Sequence, residues 1–356
     1  MKNRNYGIDL LKIVAMVMVV VLHTMGNGGV LKATETLSPN YVCGWLLETI
    51  CFCAVNCYAL ISGYVSTDSR FKYSSIISVW LQALIIGVSC SFFVALISDQ
   101  VYLDSVFKSF LPLSNNGYWY LKAYVGMCFF APIINIAFQH FNKSQLSAVG
   151  IGIASVVTII PAISGKDIFY TKQGYSAIWL IVLYIIGGVL KKNNVTEKIK
   201  TIWLWLMMIS GIGITFAEKM LVQYLNSTQD AELKIRLMSY TSPTMLIAAV
   251  ALFMLFAKIK TNNLSNKIIA FFAPLTFGVY LIHENPSIKK LFMTNMFSAF
   301  ADFNPILMIL SVLGTAIAIF LICALIDFVR DRLFKLLQVK NLLIRLETKI
   351  FGEIWS

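Results

Sequence analysis

The chain has 356 residues, of which 58% are hydrophobic and only 13% charged, about half the charged fraction of a soluble domain. This excludes an ordinary soluble globule and implies a protein that uses lipid as its solvent. The net charge of +12 is no sign of nucleic acid, because the basic residues occupy short connections between apolar runs, where membrane topology puts them.

A membrane span needs about 20 mostly apolar residues. Such runs are expected at 8–26, 42–65, 76–97, 118–138, 146–163, 175–190, 201–222, 243–257, 268–284 and 304–327, the sixth and eighth being short. The fold class that follows is all-α, a polytopic integral membrane protein of about ten transmembrane helices. The first run is too long for a signal-peptide core and is interrupted by Lys12, so it is expected to remain as a helix. With the amino terminus inside, Lys2, Arg4, Arg70, Lys72, Lys143, Lys191, Lys192, Lys198, Lys200, Lys258, Lys260, Lys267 and the basic tail fall on the cytoplasmic side. They outnumber Lys32, Lys108, Lys166, Lys172, Lys234, Arg236, Lys289 and Lys290 outside, the bias that sets orientation. Both termini are then cytoplasmic, and the setting expected is the plasma membrane of a bacterium.

No internal repeat or low-complexity stretch divides the chain. Residues 1–327 read as one transmembrane domain and 328–356 as a basic amphipathic cytoplasmic tail, with Leu333, Phe334, Leu336, Leu337, Leu342 and Leu343 set among basic residues. The tail either lies on the anionic inner leaflet or is simply solvated. The seven cysteines lie mostly inside apolar runs and show no paired CxxC spacing. They read as small helix residues, with no disulfide and no metal site expected.

The first run, Ile8 to Met25, carries Asp9, Lys12 and His23. Ionisable groups inside a span cost at least ~2.5 kcal/mol each and usually face a bundle interior or a watery cavity. Lys12 and His23 are eleven residues apart, so they share one helix face about 16 Å apart along the axis. Lys12 lies near the cytoplasmic end, where snorkelling to headgroups or pairing with Asp9 also explains it. His23 lies near the external end, and an apolar helix gains nothing from an imidazole.

Four segments in order resemble the membrane acyltransferase 3 family. Asp9-Leu10-Leu11-Lys12, ten residues and then His23 resembles its basic residue-x10-His signature, with lysine in place of the usual arginine. Ala59-Leu60-Ile61-Ser62-Gly63-Tyr64 is similar to its second-helix SGY segment. Tyr118-Trp119-Tyr120-Leu121 followed by Ala131-Pro132-Ile133-Ile134-Asn135 resembles its WFL…P-L-N helix, and Phe277-Gly278-Val279-Tyr280-Leu281-Ile282-His283 its late YLIH segment. The resemblance spans nearly the whole chain, in the stand-alone membrane form.

What the resemblance implies is transfer of an acyl group, usually acetyl, from cytoplasmic acetyl-CoA to a hydroxyl on an extracytoplasmic or lipid-linked glycan. His23 then serves as general base or as acyl carrier, since imidazole accepts a proton at neutral pH. Lys12 assists donor binding, and Arg70 and Lys72 are candidates for the coenzyme A phosphates, or else plain positive-inside charge. Tyr118 and Trp119 are read either as an aromatic belt or as sugar-stacking groups. Glu48 is a candidate partner for Lys12 or Lys122, or an orienter of His23. His283 and Glu284 end a late helix at the outer face. Ser62 with Gly63 favours close helix packing over a nucleophilic serine. The partners expected are a glycan or lipid-linked sugar and membrane lipids, with no nucleic acid; the oligomeric state is open, a homo-oligomer included. The runner-up is a small-solute or amino-acid transporter, although no inverted repeat supports it. A non-catalytic scaffold is the third reading.

Overall fold

A computed structural model describes residues 4–68, 72–98, 107–114, 117–229 and 232–352. The principal helices are α1 (Tyr6–Met25), α2 (Pro39–Phe52), α3 (Ala54–Ser66), α4 (Tyr73–Ile97), α5 (Trp119–His140), α6 (Lys143–Ser164) and α7 (Ala177–Lys192). They continue with α8 (Thr201–Thr228), α9 (Pro243–Ala257), α10 (Asn263–Phe272), α11 (Thr276–His283), α12 (Pro286–Phe292), α13 (Pro305–Leu336) and α14 (Val339–Phe351). Short helical turns connect some of them, and no strand occurs among the described residues. In lipid a helix satisfies its own backbone, which is why apolar runs become helices here.

All ten expected segments are helical. Eight helical stretches among the described residues are long and apolar enough to cross a membrane. The remaining two, α7 with 16 residues and α9 with 15, span about 24 and 23 Å at 1.5 Å per residue, short of a hydrocarbon core of about 30 Å. Both are sheathed by other helices. Trp179, Leu180 and Leu183 of α7 and Ala248, Ala249 and Phe253 of α9 are fully buried. Helix starts carry their own signals. Ser38, Ser242 and Asn304 each precede a proline and accept a hydrogen bond from the backbone N–H three residues on, which caps the helix.

Two expected spans are broken rather than continuous. The second divides at Cys53 into α2 and α3. The ninth divides at a 3-10 turn over Ala273–Leu275, which contains Pro274, into α10 and α11, because proline cannot continue the helical ladder. The last span continues past residue 327 to Leu336 without interruption. The amphipathic helix α14 follows, and its Glu347 carboxylate accepts from the backbone N–H groups of Tyr73 (2.6 Å) and Ser74 (3.2 Å) at the start of α4.

The chain runs up and down, so helix ends collect on two faces. On the amino-terminal face Asn5 donates to the Ala257 carbonyl at 2.9 Å and Lys192 pairs with Asp68 at 2.9 Å. On the opposite face Asn40 donates to the carbonyls of Ala301 and Phe303. Helix α1 sits centrally, packed by α2, α3, α9, α11 and α13.

The crossing of α3 and α7 depends on two glycines. A Cβ on Gly63 would enter the Tyr184 carbonyl, and one on Gly187 the Leu60 carbonyl. Gly63→Ala is therefore expected to cost about 1–3 kcal/mol, read as a lower melting temperature in detergent. Gly213→Ala, whose Cβ meets open space, leaves the melting temperature unchanged or higher. Equal melting temperatures for the parent and Gly63→Ala contradict this packing.

Candidate active site

The carboxyl ends of α1 and α11 meet on the face opposite the amino terminus. His23 stands in the last turn of α1, and His283 is the last residue of α11. His23 Nδ1 lies 2.8 Å from His283 Nε2, and His283 Nδ1 lies 2.6 Å from the Val279 carbonyl. A carbonyl only accepts, so His283 carries its proton on Nδ1 and its Nε2 is an acceptor. His23 must then donate from Nδ1, which leaves the lone pair on its Nε2. The Val279 carbonyl thus fixes the tautomers of two histidines in series.

Glu284 completes the cluster. Its Oε1 is 3.4 Å from His23 Nδ1 and accepts from Asn27 Nδ2 at 3.3 Å, while Oε2 pairs with Lys289 Nζ at 3.0 Å. The ligand atoms of His23, His283 and Glu284 lie within 4.8 Å of one another, a grouping able to hold a metal ion. The 2.8 Å nitrogen separation is nevertheless that of a hydrogen bond. Two ligands on a tetrahedral ion at ~2.05 Å stand about 3.3 Å apart.

Packing holds α11 at the height this geometry needs. A Cβ on Gly278 would strike the Asp327 carboxylate. That carboxylate is fully buried in α13, bonded twice by Arg330 (2.7 and 2.8 Å) and by Gln82 at 3.2 Å. Tyr118 Oη donates to the Leu281 carbonyl at 2.8 Å and accepts from Asn285 Nδ2 at 2.9 Å. The start of α5 is thereby tied to the end of α11.

Two cavities border this cluster, one at Glu284 and one at His23. One, of about 750 Å³, opens on this face and is lined by Glu284, Asn285, Ser287, Lys289 and Tyr118 among others. The second, of about 80 Å³, lies deeper among aromatic rings and runs along α1 from Met16 to His23, roughly 10 Å of helix. Tyr58 also lines it and donates from its hydroxyl to the Lys12 carbonyl at 2.6 Å. His23 faces the inner cavity and Glu284 the outer one.

The residues singled out in the sequence divide into two groups. His23, His283, Glu284, Tyr118 and Trp119 gather around the cavities. Tyr118 is buried and Trp119 lines the inner cavity, stacked near Tyr175 and Tyr240, so a lipid-facing belt does not describe them. Lys12 and Asp9 lie together at the other end of α1. Lys12 Nζ donates to Asp9 Oδ1 at 2.8 Å, and Arg4 Nε donates to Oδ2 at 2.6 Å. Lys72 is exposed at the start of α4. Arg70 lies outside the described residues. Glu48 is buried in α2 with Oε2 unpartnered, and neither Lys12 nor His23 bonds it. Ser62 Oγ donates back to the Tyr58 carbonyl at 2.9 Å, within its own helix. Sequence reasoning missed Asn27, Lys289, Tyr58, Tyr175 and Tyr240, and met Tyr280 only as part of the late YLIH segment.

The family model described as the acyltransferase domain, Acyl_transf_3, matches residues 5–327. Among the curated proteins and the solved structures compared, none matches the chain. The match takes in both ends of α1, the Lys12 turn and His23, together with His283, and it decides for an acyltransferase over a transporter. The chain belongs to the acyltransferase 3 family and is a multi-pass membrane acyltransferase.

Proposed function

We propose that the protein is an O-acyltransferase of a bacterial plasma membrane. It moves an acyl group, acetyl in the first instance, from cytoplasmic acyl-CoA to a hydroxyl of a cell-surface or lipid-linked glycan. The observation that carries this reading is the position of His23, which lines an inner cavity while its neighbour Glu284 borders an outer chamber.

In this reading the thioester reaches His23 through the aromatic cavity from the Lys12 end, and the glycan hydroxyl enters from the outer chamber. His23 Nε2 takes the hydroxyl proton as the oxygen adds to the thioester carbonyl carbon. The C–S bond then breaks, an ester remains, and the proton passes to the departing thiolate. While His23 is protonated, its Nδ1–H remains bonded to His283 and the Glu284 carboxylate balances its charge. His283 is a positioning residue that keeps the lone pair on Nε2. Lys12 and Lys72, at the cytoplasmic end, attract the phosphates of coenzyme A.

These roles carry three expected outcomes. His23→Ala is expected to lower transfer of label from [14C]acetyl-CoA to the membrane glycan by about 10²–10⁴-fold at unchanged protein level, whereas undiminished glycan acylation overturns its role. In His283→Leu the His23 ring loses the partner that fixes its tautomer. Nitrogen NMR of 15N-histidine protein should then show proton exchange between Nδ1 and Nε2 that the parent lacks. Lys12→Ala together with Lys72→Ala is expected to raise KM for acetyl-CoA about tenfold, the worth of ~1.4 kcal/mol, with kcat nearly kept. A fall in kcat at constant KM contradicts a donor-binding role.

A further inference from the structure

The wall of the inner cavity includes Tyr120, whose hydroxyl takes no part in the transfer steps above. Tyr120 Oη is buried and meets no hydrogen-bond partner, and Tyr120 lines the same cavity as His23. Among the described residues, no other side chain with a buried, unpartnered polar atom lines this cavity. Buried phenols are normally bonded, because an unmade bond inside a low-dielectric interior is costly. Neighbouring phenols obey this rule. Tyr58 Oη donates to the Lys12 carbonyl, and Tyr118 Oη to that of Leu281. The Tyr120 ring is held in its orientation by the rings of Tyr58, Trp119, Tyr124 and Tyr280, with centroids 5.4–6.3 Å away. Its hydroxyl is therefore a fixed donor without an acceptor, on a residue that lines the same cavity as the proposed base.

We propose that Tyr120 is a catalytic residue that donates its hydrogen bond to the thioester carbonyl oxygen of the acyl donor. This rests on the acyl-transfer reading above. When the acceptor oxygen adds, a C–O bond forms, the carbonyl π electrons move onto oxygen, and the hydroxyl proton goes to His23 Nε2. The resulting oxyanion is held by the Tyr120 hydroxyl, which keeps its own proton. On collapse the carbonyl reforms, the C–S bond breaks, and His23 returns its proton to the thiolate sulfur. A donor already aimed at the developing charge in a water-poor site needs no reorganisation when the charge appears. Tyr280 assists from the same wall. Its oxygen accepts from the Tyr120 backbone N–H at 3.3 Å, and its O–H remains a second donor beside the cavity it also lines.

The test compares Tyr120→Phe with the parent in membranes holding equal amounts of each protein. Transfer of label from [14C]acetyl-CoA into extracted glycan gives kcat and KM, and the purified proteins give melting temperatures. The expected result is a fall in kcat of about 10²-fold or more, with KM for acetyl-CoA changed less than about twofold. The melting temperature stays equal or rises, because Phe removes an unpartnered buried hydroxyl. Tyr280→Phe should by contrast melt lower, since the Tyr120 amide loses its acceptor. Undiminished kcat in Tyr120→Phe overturns the proposal, as does a loss of activity matched by a loss of stability. Absence of label transfer in the parent overturns the acyl-transfer reading itself, and this inference with it.

Discussion

The hydrogen bond between His23 and His283 is the contact on which the arrangement of the active site depends. An imidazole alone in an apolar helix end carries its proton on either nitrogen and turns freely. Here the Val279 carbonyl fixes His283, and His283 fixes His23, so a backbone group sets the chemistry of a side chain on another helix. The protein uses in this way a polar group that the helix of His283 already carries. Glu284 adds a charge of the right sign, shared with Lys289 and Asn27 so that it is not left unpaired in a low-dielectric surrounding.

That bond holds only if α11 stays at one height against α1. The broken ninth span supplies a short, separately placed helix. The Asp327 carboxylate, itself held by Arg330 and Gln82, seats against Gly278, and Tyr118 pins the Leu281 carbonyl from α5. A buried carboxylate with a bidentate arginine is not in itself a stabilising device. Its value here is register, since a one-residue rotation of α11 would carry His283 away from His23. The same logic applies at the other end of α1, where Arg4 and Lys12 share Asp9 and the Lys12 carbonyl receives Tyr58 from the cavity wall.

Helix positions were legible in the sequence because lipid permits so few alternatives that apolar runs alone nearly define them. The breaks at Cys53 and at Ala273–Leu275 were not legible, because apolar composition passes through both without interruption. Pro274 was the available sign at the second. The shared face of Lys12 and His23 followed from a spacing of three turns. His283 and Glu284 could be put at the same membrane face as His23 but not in contact with it. The contact is set by the packing of α11 on α1, across 260 residues of chain. Lys289 and Asn27 looked like ordinary connector residues. For Tyr118 and Trp119, composition suggested an interface belt, and only the register of α5 separates Tyr118, which pins α11, from Trp119 and Tyr120, which line the cavity.

The central claim is that the acyl group passes His23 on its way from the inner cavity to the outer one. A cryo-electron microscopy structure with a non-hydrolysable acetyl-CoA thioether analogue tests it most directly. The nucleotide is expected at the Lys12 end, the arm along α1 past Tyr58, and the acetyl group in the inner cavity, with its carbonyl oxygen within hydrogen-bond reach of Tyr120 Oη and its carbon about one hydroxyl's width from His23. An analogue seated with its acetyl group away from His23, or entering from the Glu284 chamber, would contradict it.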